Sequence, residues 1–393
     1  MHVLTLTPFY PTTEDNASGC FIAEAVGELE RQGVQSSVIA AYPIYRPYSA
    51  PDRGAPAAMA QKYFCFPGNA GLSSAGRFLY AALKSRVRRL HAECPVSLIH
   101  AHAALPCGHA AMLLSRDLRI PFVVTVHGLD VFYTRQVSGW MGRGCSEAAK
   151  EVYASAARVI CISEHVAQPI REELGKKANI TVVCNSVDSS LFVPANGFVP
   201  ANGFAPADGA EPQSPVILSI GNLIPSKGHE LLLRAIAAIA PVHPQVSCRI
   251  IGDGPERNRL QNLARDLGIA ERIHFEGRRP RAAVVEAMKE CTLFALPSWY
   301  EGLGCVYLEA MSAGRAAIGC RGQGIEEVIR HTENGWLIQP YNLDDLTVAL
   351  QRLLSDRSLR ESIGRNGRET ILQGFTLAHQ AKRLASIYQE SLP

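Results

Sequence analysis

The strongest constraint on the fold is a repeated alternation. Short apolar runs, each followed by a helix-length amphipathic segment, fill most of the chain. "HVLTLT" precedes "FIAEAVGELERQG", which closes at Gly33 as a glycine just past a helix end should. "SSVIAAY", "SLIHAHA", "FVVTVHG", "RVICIS" and "ITVVCN" follow, with helical patterns between several of them. Near-continuous apolar strands separated by helices predict a parallel sheet covered on both faces. The pattern then stops. "VPANGF" at 193–198 repeats at 199–204 and decays to "APADGA" at 205–210, a Pro/Asn/Gly-rich stretch with no packable face. It restarts with "PVILSIG", "HELLLRAIAAI", "VSCRIIG", "ERNRLQNLARDLG", "RIHFEG", "RAAVVEAMKEC", "TLFALPS" and "AAIGC", and three helical patterns close the chain. These observations predict a doubly wound α/β domain over 1–190, a linker over 191–214, a second such domain over 215–370, and a C-terminal helix within 371–393 that can cross back to the first domain. Ligands of such sheets bind beyond the carboxyl ends of the strands, so a cleft between the domains is expected to hold the site.

The 393 residues exceed one typical core, which agrees with two domains. A net charge of +3 argues neither way about nucleic acid, and no nucleic-acid partner is assigned. Eleven cysteines are scattered from Cys20 to Cys320 without a CxxC pair, which fits a reducing compartment and a cytoplasmic location. The N-terminus "MHVLTLTPFYP" lacks a basic leader region and reads as a first strand. No run of 18 apolar residues is present to span a membrane.

"SWYEGLGCVYLEAMSAG", 298–314, places Glu301 in a loop before Gly302 and Gly304, and Glu309 about one turn into the helix that follows. The backbone N–H groups of Gly304, Cys305 and Val306 at the helix start form an anion site backed by the positive end of the dipole. Two carboxylates beside it would repel a bare phosphate. They make sense as acceptors for hydroxyls on either side of a diphosphate, the layout of a nucleotide sugar. In "SIGNLIPSKGHELLL", Lys227 opens a helix where the dipole disfavours a cation, a penalty that bound pyrophosphate would remove. "IIGDGPE", 250–256, with Gly252 and Gly254, is another strand followed by a tight turn.

Together these elements resemble the retaining glycosyltransferases of family 4, whose fold is GT-B, two Rossmann-like domains facing a cleft. Glu301 and Glu309 match the family's E-x7-E motif, "GNLIPSKGH" its "GRL…KG" element, and "IIGDGPE" its "GxGP" turn. "TPFYP…SGCFIAEAVGELERQG", "IHAHAALPCG", "TVHGLDVF", "RVICISE" and "VVCNSVDSSLF" extend the resemblance over nearly the whole chain. The resemblance implies an acceptor-side N-terminal domain and a nucleotide-sugar-binding C-terminal one. It implies a donor site of Gly19, Asn222, Lys227, Gly252, Gly254, Arg278, Glu301, Gly302, Leu303, Gly304, Cys305, Val306 and Glu309. Within that site Glu301 would take donor-sugar hydroxyls and Glu309 the ribose. Lys227 and the Gly304–Val306 N–H groups would hold the pyrophosphate, with Gly19 approaching it and His127 facing the sugar. Catalytic roles fall on His127, Glu301 and Lys227. Asn222 stands where the family usually has Arg, so Arg278, Arg279 or Arg321 would supply the missing cation.

No Asp-x-Asp triplet or convincing metal-ligand cluster is evident, so no metal and no cofactor is expected. The implied reaction is a metal-independent, retaining transfer of a hexose-type sugar to a glycan or lipid-linked acceptor. The alternatives are a nucleotide-sugar epimerase on the same fold and a non-catalytic sugar-nucleotide-binding subunit. His100 and His102 share a strand face without a third ligand and read as strand-end residues. Segment 76–93 carries Arg77, Lys84, Arg86, Arg88 and Arg89 opposite Phe78, Leu79, Leu83, Val87 and Leu90. It suits either an ordinary helix on the sheet or a peripheral contact with anionic membrane.

Overall fold

The computed structural model describes residues 1–46, 50–52, 54–67, 71–128, 131, 139–193 and 214–393, so 194–213 of the expected linker lie outside the described residues. The chain forms two compact units, Met1–Asn185 with Leu377–Pro393, and Ser186–Thr376. The division thus falls after Asn185 rather than 190, and the last segment leaves the second unit after Thr376 rather than 370.

The first unit holds strands β1 (His2–Thr7), β2 (Gln35–Pro43), β3 (Ala58–Tyr63), β4 (Leu98–His102), β5 (Phe122–Val126), β6 (Arg158–Cys161) and β7 (Ile180–Val182). They pair in parallel in the order β3-β2-β1-β4-β5-β6-β7. The second holds β8 (Val216–Ile220), β9 (Ser247–Ile251), β10 (Ile273–Gly277), β11 (Leu293–Ala295), β12 (Ala316–Cys320) and β13 (Trp336–Ile338), again parallel, in the order β10-β9-β8-β11-β12-β13. The central strands are buried on both faces: every residue of β1, β4, β5, β11 and β12 is buried, as their unbroken apolar runs require. In each sheet the chain starts at an inner strand, winds to one edge, and returns to the other side of its starting strand. The loops leaving β1 and β4, and those leaving β8 and β11, therefore turn in opposite directions and leave a crevice at the carboxyl ends.

Helix Leu377–Glu390 belongs to the first unit. Its Ala381, Leu384, Ile387 and Tyr388 complete a core with Val3, Leu98, Val123 and Ile160, and the Ala378 carbonyl accepts from the Gln32 side-chain amide at 3.3 Å.

The basic segment folds as helix Leu72–Glu93, but the anchor set expected of it does not face outward. Leu79, Leu83 and Val87 are fully buried, because the sheet and its helices take the apolar stripe. Phe78 alone of that set is exposed, with its ring in an edge contact with Phe64, which in turn meets Phe66.

Leu384 is 4 % exposed in the shared core, so Leu384→Ala is expected to cost about 2–4 kcal/mol. Chemical denaturation of the full chain measures this. An unchanged midpoint would mean that the helix contributes nothing to the first unit.

Candidate functional site

The second-unit site is assembled by the strand-order reversal between β8 and β11. After β8, Gly221 donates to the Ile251 carbonyl at 3.0 Å and Leu223 to the Asp253 carbonyl at 3.1 Å, so the turn after β8 nests on that after β9. Gly252 and Gly254 lie against the carbonyls of Gly221 and Leu223, which makes them packing positions of this nest. Lys227 ends a short 3-10 turn, Pro225–Lys227. Gly228 follows at φ 70°, and a Cβ there would lie 2.1 Å from the Pro297 carbonyl oxygen, so only glycine lets the two loops touch. The Trp299 N–H and the Ser298 hydroxyl both donate to the Ser226 carbonyl at 3.0 Å. These bonds fix the loop after β8 to the loop after β11. They bring Lys227 Nζ to 2.5 Å from Glu301 Oε2, with both side chains partly exposed.

Beyond Glu301 the chain enters helix Cys305–Ser312 through Gly304, at φ 82°. Gly304, Cys305 and Val306 are partly exposed, whereas Gly302 and Leu303 are buried. The first-turn N–H groups have no preceding turn to bond, so the helix presents a positive end next to Lys227 and Glu301. Tyr307, fully buried, anchors this end by donating to the Leu296 carbonyl at 2.6 Å. Glu309 lies deeper, 5 % exposed, with Oε1 at 2.6 Å from Arg281 Nη1 and Oε2 without a hydrogen-bond partner.

Among the cations considered for the Asn222 position, Arg278 is exposed, Arg279 meets Glu276 at 3.3 Å, and Arg321 meets Glu326 at 3.3 Å. Asn222 is itself exposed. Two residues at this site were not anticipated. Arg281 is the partner of Glu309, and Gln323 accepts the Glu301 N–H at 3.0 Å. Pro280, which sets Arg281 at a helix start, is the one local signal that could have marked it.

Gly19 and His127 belong to the first unit. Gly19, at φ 74°, opens helix Cys20–Arg31 and lies against the Tyr10 backbone. His127 follows β5, with Nε2 at 3.1 Å from His102 Nδ1, the two rings stacked, and Phe9 and Phe21 edge-on to it. His100 lies beside His102 and is held between the Tyr388 hydroxyl and the Thr125 hydroxyl, both at 2.7 Å. The buried strand-end histidines thus pack in one imidazole group with His127, which is partly exposed. Among the described residues no set of three His, Cys, Asp or Glu side chains is placed to hold a metal ion. Burial first, then the neighbouring His127, pushes His100 down to about 3. Burial alone lowers His127 to about 4, and burial with the other two rings puts His102 well below its ordinary value. All three are neutral near pH 7, so each can offer one N–H and one lone pair.

The family profile described as Glycosyltransferase Family 4 matches residues 20–191, and that of Glycosyl transferases group 1 matches 205–370. The chain is 26% identical over 311 residues to the GDP-mannose-dependent alpha-(1-6)-phosphatidylinositol monomannoside mannosyltransferase of Mycolicibacterium smegmatis, covering 77% of this chain and 79% of the relative. Its fold is similar to that of sucrose-phosphate synthase from Thermosynechococcus elongatus, with a TM-score of 0.78, 20% identity, and 99% and 98% of the two chains covered. It is also similar to Anabaena HepE solved with UDP-glucose, with a TM-score of 0.74, 20% identity and 98% of each chain covered.

The lowered histidines carry a sign. Above about pH 6.5 they are neutral folded and unfolded; as pH falls from there toward about 4 only the unfolded chain takes up the protons. Stability is expected to fall by up to about 1.4 kcal/mol per pH unit for each histidine in that window. Denaturation midpoints at pH 7 and pH 5 test this, and equal midpoints would contradict the buried neutral group.

Proposed function

The chain belongs to glycosyltransferase family 4 and is a glycosyltransferase, and from that premise we propose that it moves a hexose-type sugar from a nucleotide-sugar donor, with retention and without a metal ion, to a glycan or lipid-linked acceptor in polysaccharide or glycolipid synthesis. The observation that carries this reading is the pairing of Lys227 with Glu301 beside the partly exposed start of helix Cys305–Ser312. A diphosphate entering there competes for Lys227. Once Lys227 turns to the phosphates, Glu301 is released to accept sugar hydroxyls, while Glu309 accepts from the ribose. Two similar proteins, a GDP-mannose-dependent mannosyltransferase and the HepE solved with UDP-glucose, support a nucleotide-sugar donor of this class.

In the reaction the bond between sugar C1 and the leaving phosphate oxygen breaks, and the acceptor oxygen bonds to C1 on the same face. The acceptor proton passes to the departing phosphate oxygen. Charge grows on the diphosphate in an oxocarbenium-like transition state. Lys227 and the N–H groups of the helix start are the preformed donors that stabilise it. Neutral His127 orients the sugar by a hydrogen bond without adding positive charge next to the forming cation. Gly302 and Leu303 shape the base of the donor site within the second unit, and Arg278 stays the candidate second phosphate cation.

No helix among the described residues is long and apolar enough to cross a membrane. Peripheral contact with anionic membrane is assigned to Phe64, Phe66 and Phe78, which are 44 %, 52 % and 37 % exposed, together with the exposed cations Arg77 and Lys84 of the helix that carries Phe78.

Three measurements test these assignments. In a melting panel of UDP-, GDP-, ADP- and dTDP-sugars, one donor is expected to raise the melting temperature well above the others. A flat panel, or a donor converted to an isomer without acceptor, would contradict the transferase reading of this site. Lys227→Ala is expected to lower kcat by about 10²–10³, with product of unchanged anomeric configuration and no effect of EDTA on the wild type. Inversion, or loss of activity in EDTA, would overturn the mechanism. At low salt part of the protein is expected to sediment with phosphatidylglycerol vesicles, and replacing Phe64, Phe66 and Phe78 by Ser should abolish this. Equal recovery in the supernatant with and without vesicles would rule the contact out.

A further inference from the structure

We propose that Arg281 is a positioning residue of the donor site: it holds one oxygen of Glu309 and thereby presents the other to a ribose hydroxyl. The proposal rests on the assignment of Glu309 to the ribose made above. Glu309 is 5 % exposed, and burying a carboxylate that deeply without a counter-charge is costly. Arg281 supplies the counter-charge, with Nη1 at 2.6 Å from Oε1. The pair is monodentate, with Nη1 on Oε1 alone. Oε2 is buried and has no hydrogen-bond partner, which is costly for an acceptor unless a donor arrives to use it. An oriented carboxylate acceptor of this kind suits a hydroxyl and rejects a phosphate.

The arginine is itself held from two sides. It is the first residue of helix Arg281–Glu290, where the dipole disfavours a cation, so its charge depends on Glu309 as much as the reverse. Its guanidinium carbon lies 5.3 Å from the centre of the Phe192 ring. Phe192 is fully buried, which confines its ring, and its carbonyl accepts from Arg368 Nη1 at 3.0 Å, which anchors its main chain. A planar cation between a fixed ring and a carboxylate has little freedom to swing. A lysine at the same position would keep the charge and lose the stacked, planar hold.

The test compares a nucleoside diphosphate, whichever of UDP, GDP and ADP stabilises the wild type most, with its 2′,3′-dideoxy counterpart, by calorimetric titration of the full chain. Arg281→Met is expected to weaken the ribonucleotide about tenfold or more while leaving the dideoxy form within about twofold of wild type. Arg281→Lys is expected to recover part of the difference. Should the methionine variant not fold, Arg281→Lys carries the comparison, with a smaller selective loss for the ribonucleotide. Equal weakening of both forms, or of neither, would overturn the proposal, because a merely structural arginine cannot discriminate ribose hydroxyls. Glu309→Gln separates the two levels. If it binds both forms as the wild type does, the ribose assignment fails and Arg281 falls with it. If it loses the ribonucleotide selectively and the Arg281 variants do not, only the role of Arg281 fails.

Discussion

The second unit depends on one meeting of charges. Lys227 and Glu301 are 74 positions apart in the chain and 2.5 Å apart in space. They meet because β8 and β11 are neighbours at the point where the sheet changes its winding direction, and because the loops that leave them are stitched together at Ser226, Pro297, Ser298 and Trp299. A partly exposed ion pair of this kind contributes little stability. In the proposed function its consequence is chemical: a cation and a hydroxyl acceptor stand beside the positive end of a helix, where a diphosphate would take the cation and leave the acceptor.

The two glutamates of the motif then differ by environment. Glu301 is paired with a flexible lysine near solvent, a partner that a ligand can replace. Glu309 is buried against a planar arginine held by Phe192, a partner that stays. Seven residues of loop and helix separate an exchangeable acceptor from a permanent one, and the helix start lies between them. The buried histidines of the first unit follow the same logic in another form. Burial strips them of charge, which leaves each ring one N–H and one lone pair.

Much of this was legible in the chain. The apolar runs "HVLTLT" and "AAIGC" are β1 and β12, and Glu301, Gly304 and Glu309 were placed on the loop and helix where they stand. Two strands escaped notice for physical reasons. β3, "AMAQKY", is an edge strand with mixed polarity, and β13, "WLI", is only three residues long. Helical period identifies an apolar stripe on Leu72–Glu93 but not what it faces; the interior of the first unit takes Leu79, Leu83 and Val87. Arg281 and Gln323 carry no motif, since their roles come from neighbours brought together by the fold. The contact of His102 with His127 likewise exists only because β4 and β5 pair with His102 opposite Thr125.

A structure of the chain with its preferred nucleoside diphosphate bound is the most direct measurement. The account expects phosphate oxygens within hydrogen-bonding distance of Lys227 Nζ and of the N–H groups at Cys305 and Val306, a ribose hydroxyl on Glu309 Oε2, and Lys227 turned away from Glu301. A nucleotide bound elsewhere, or one bound with the Lys227–Glu301 pair intact, would contradict it.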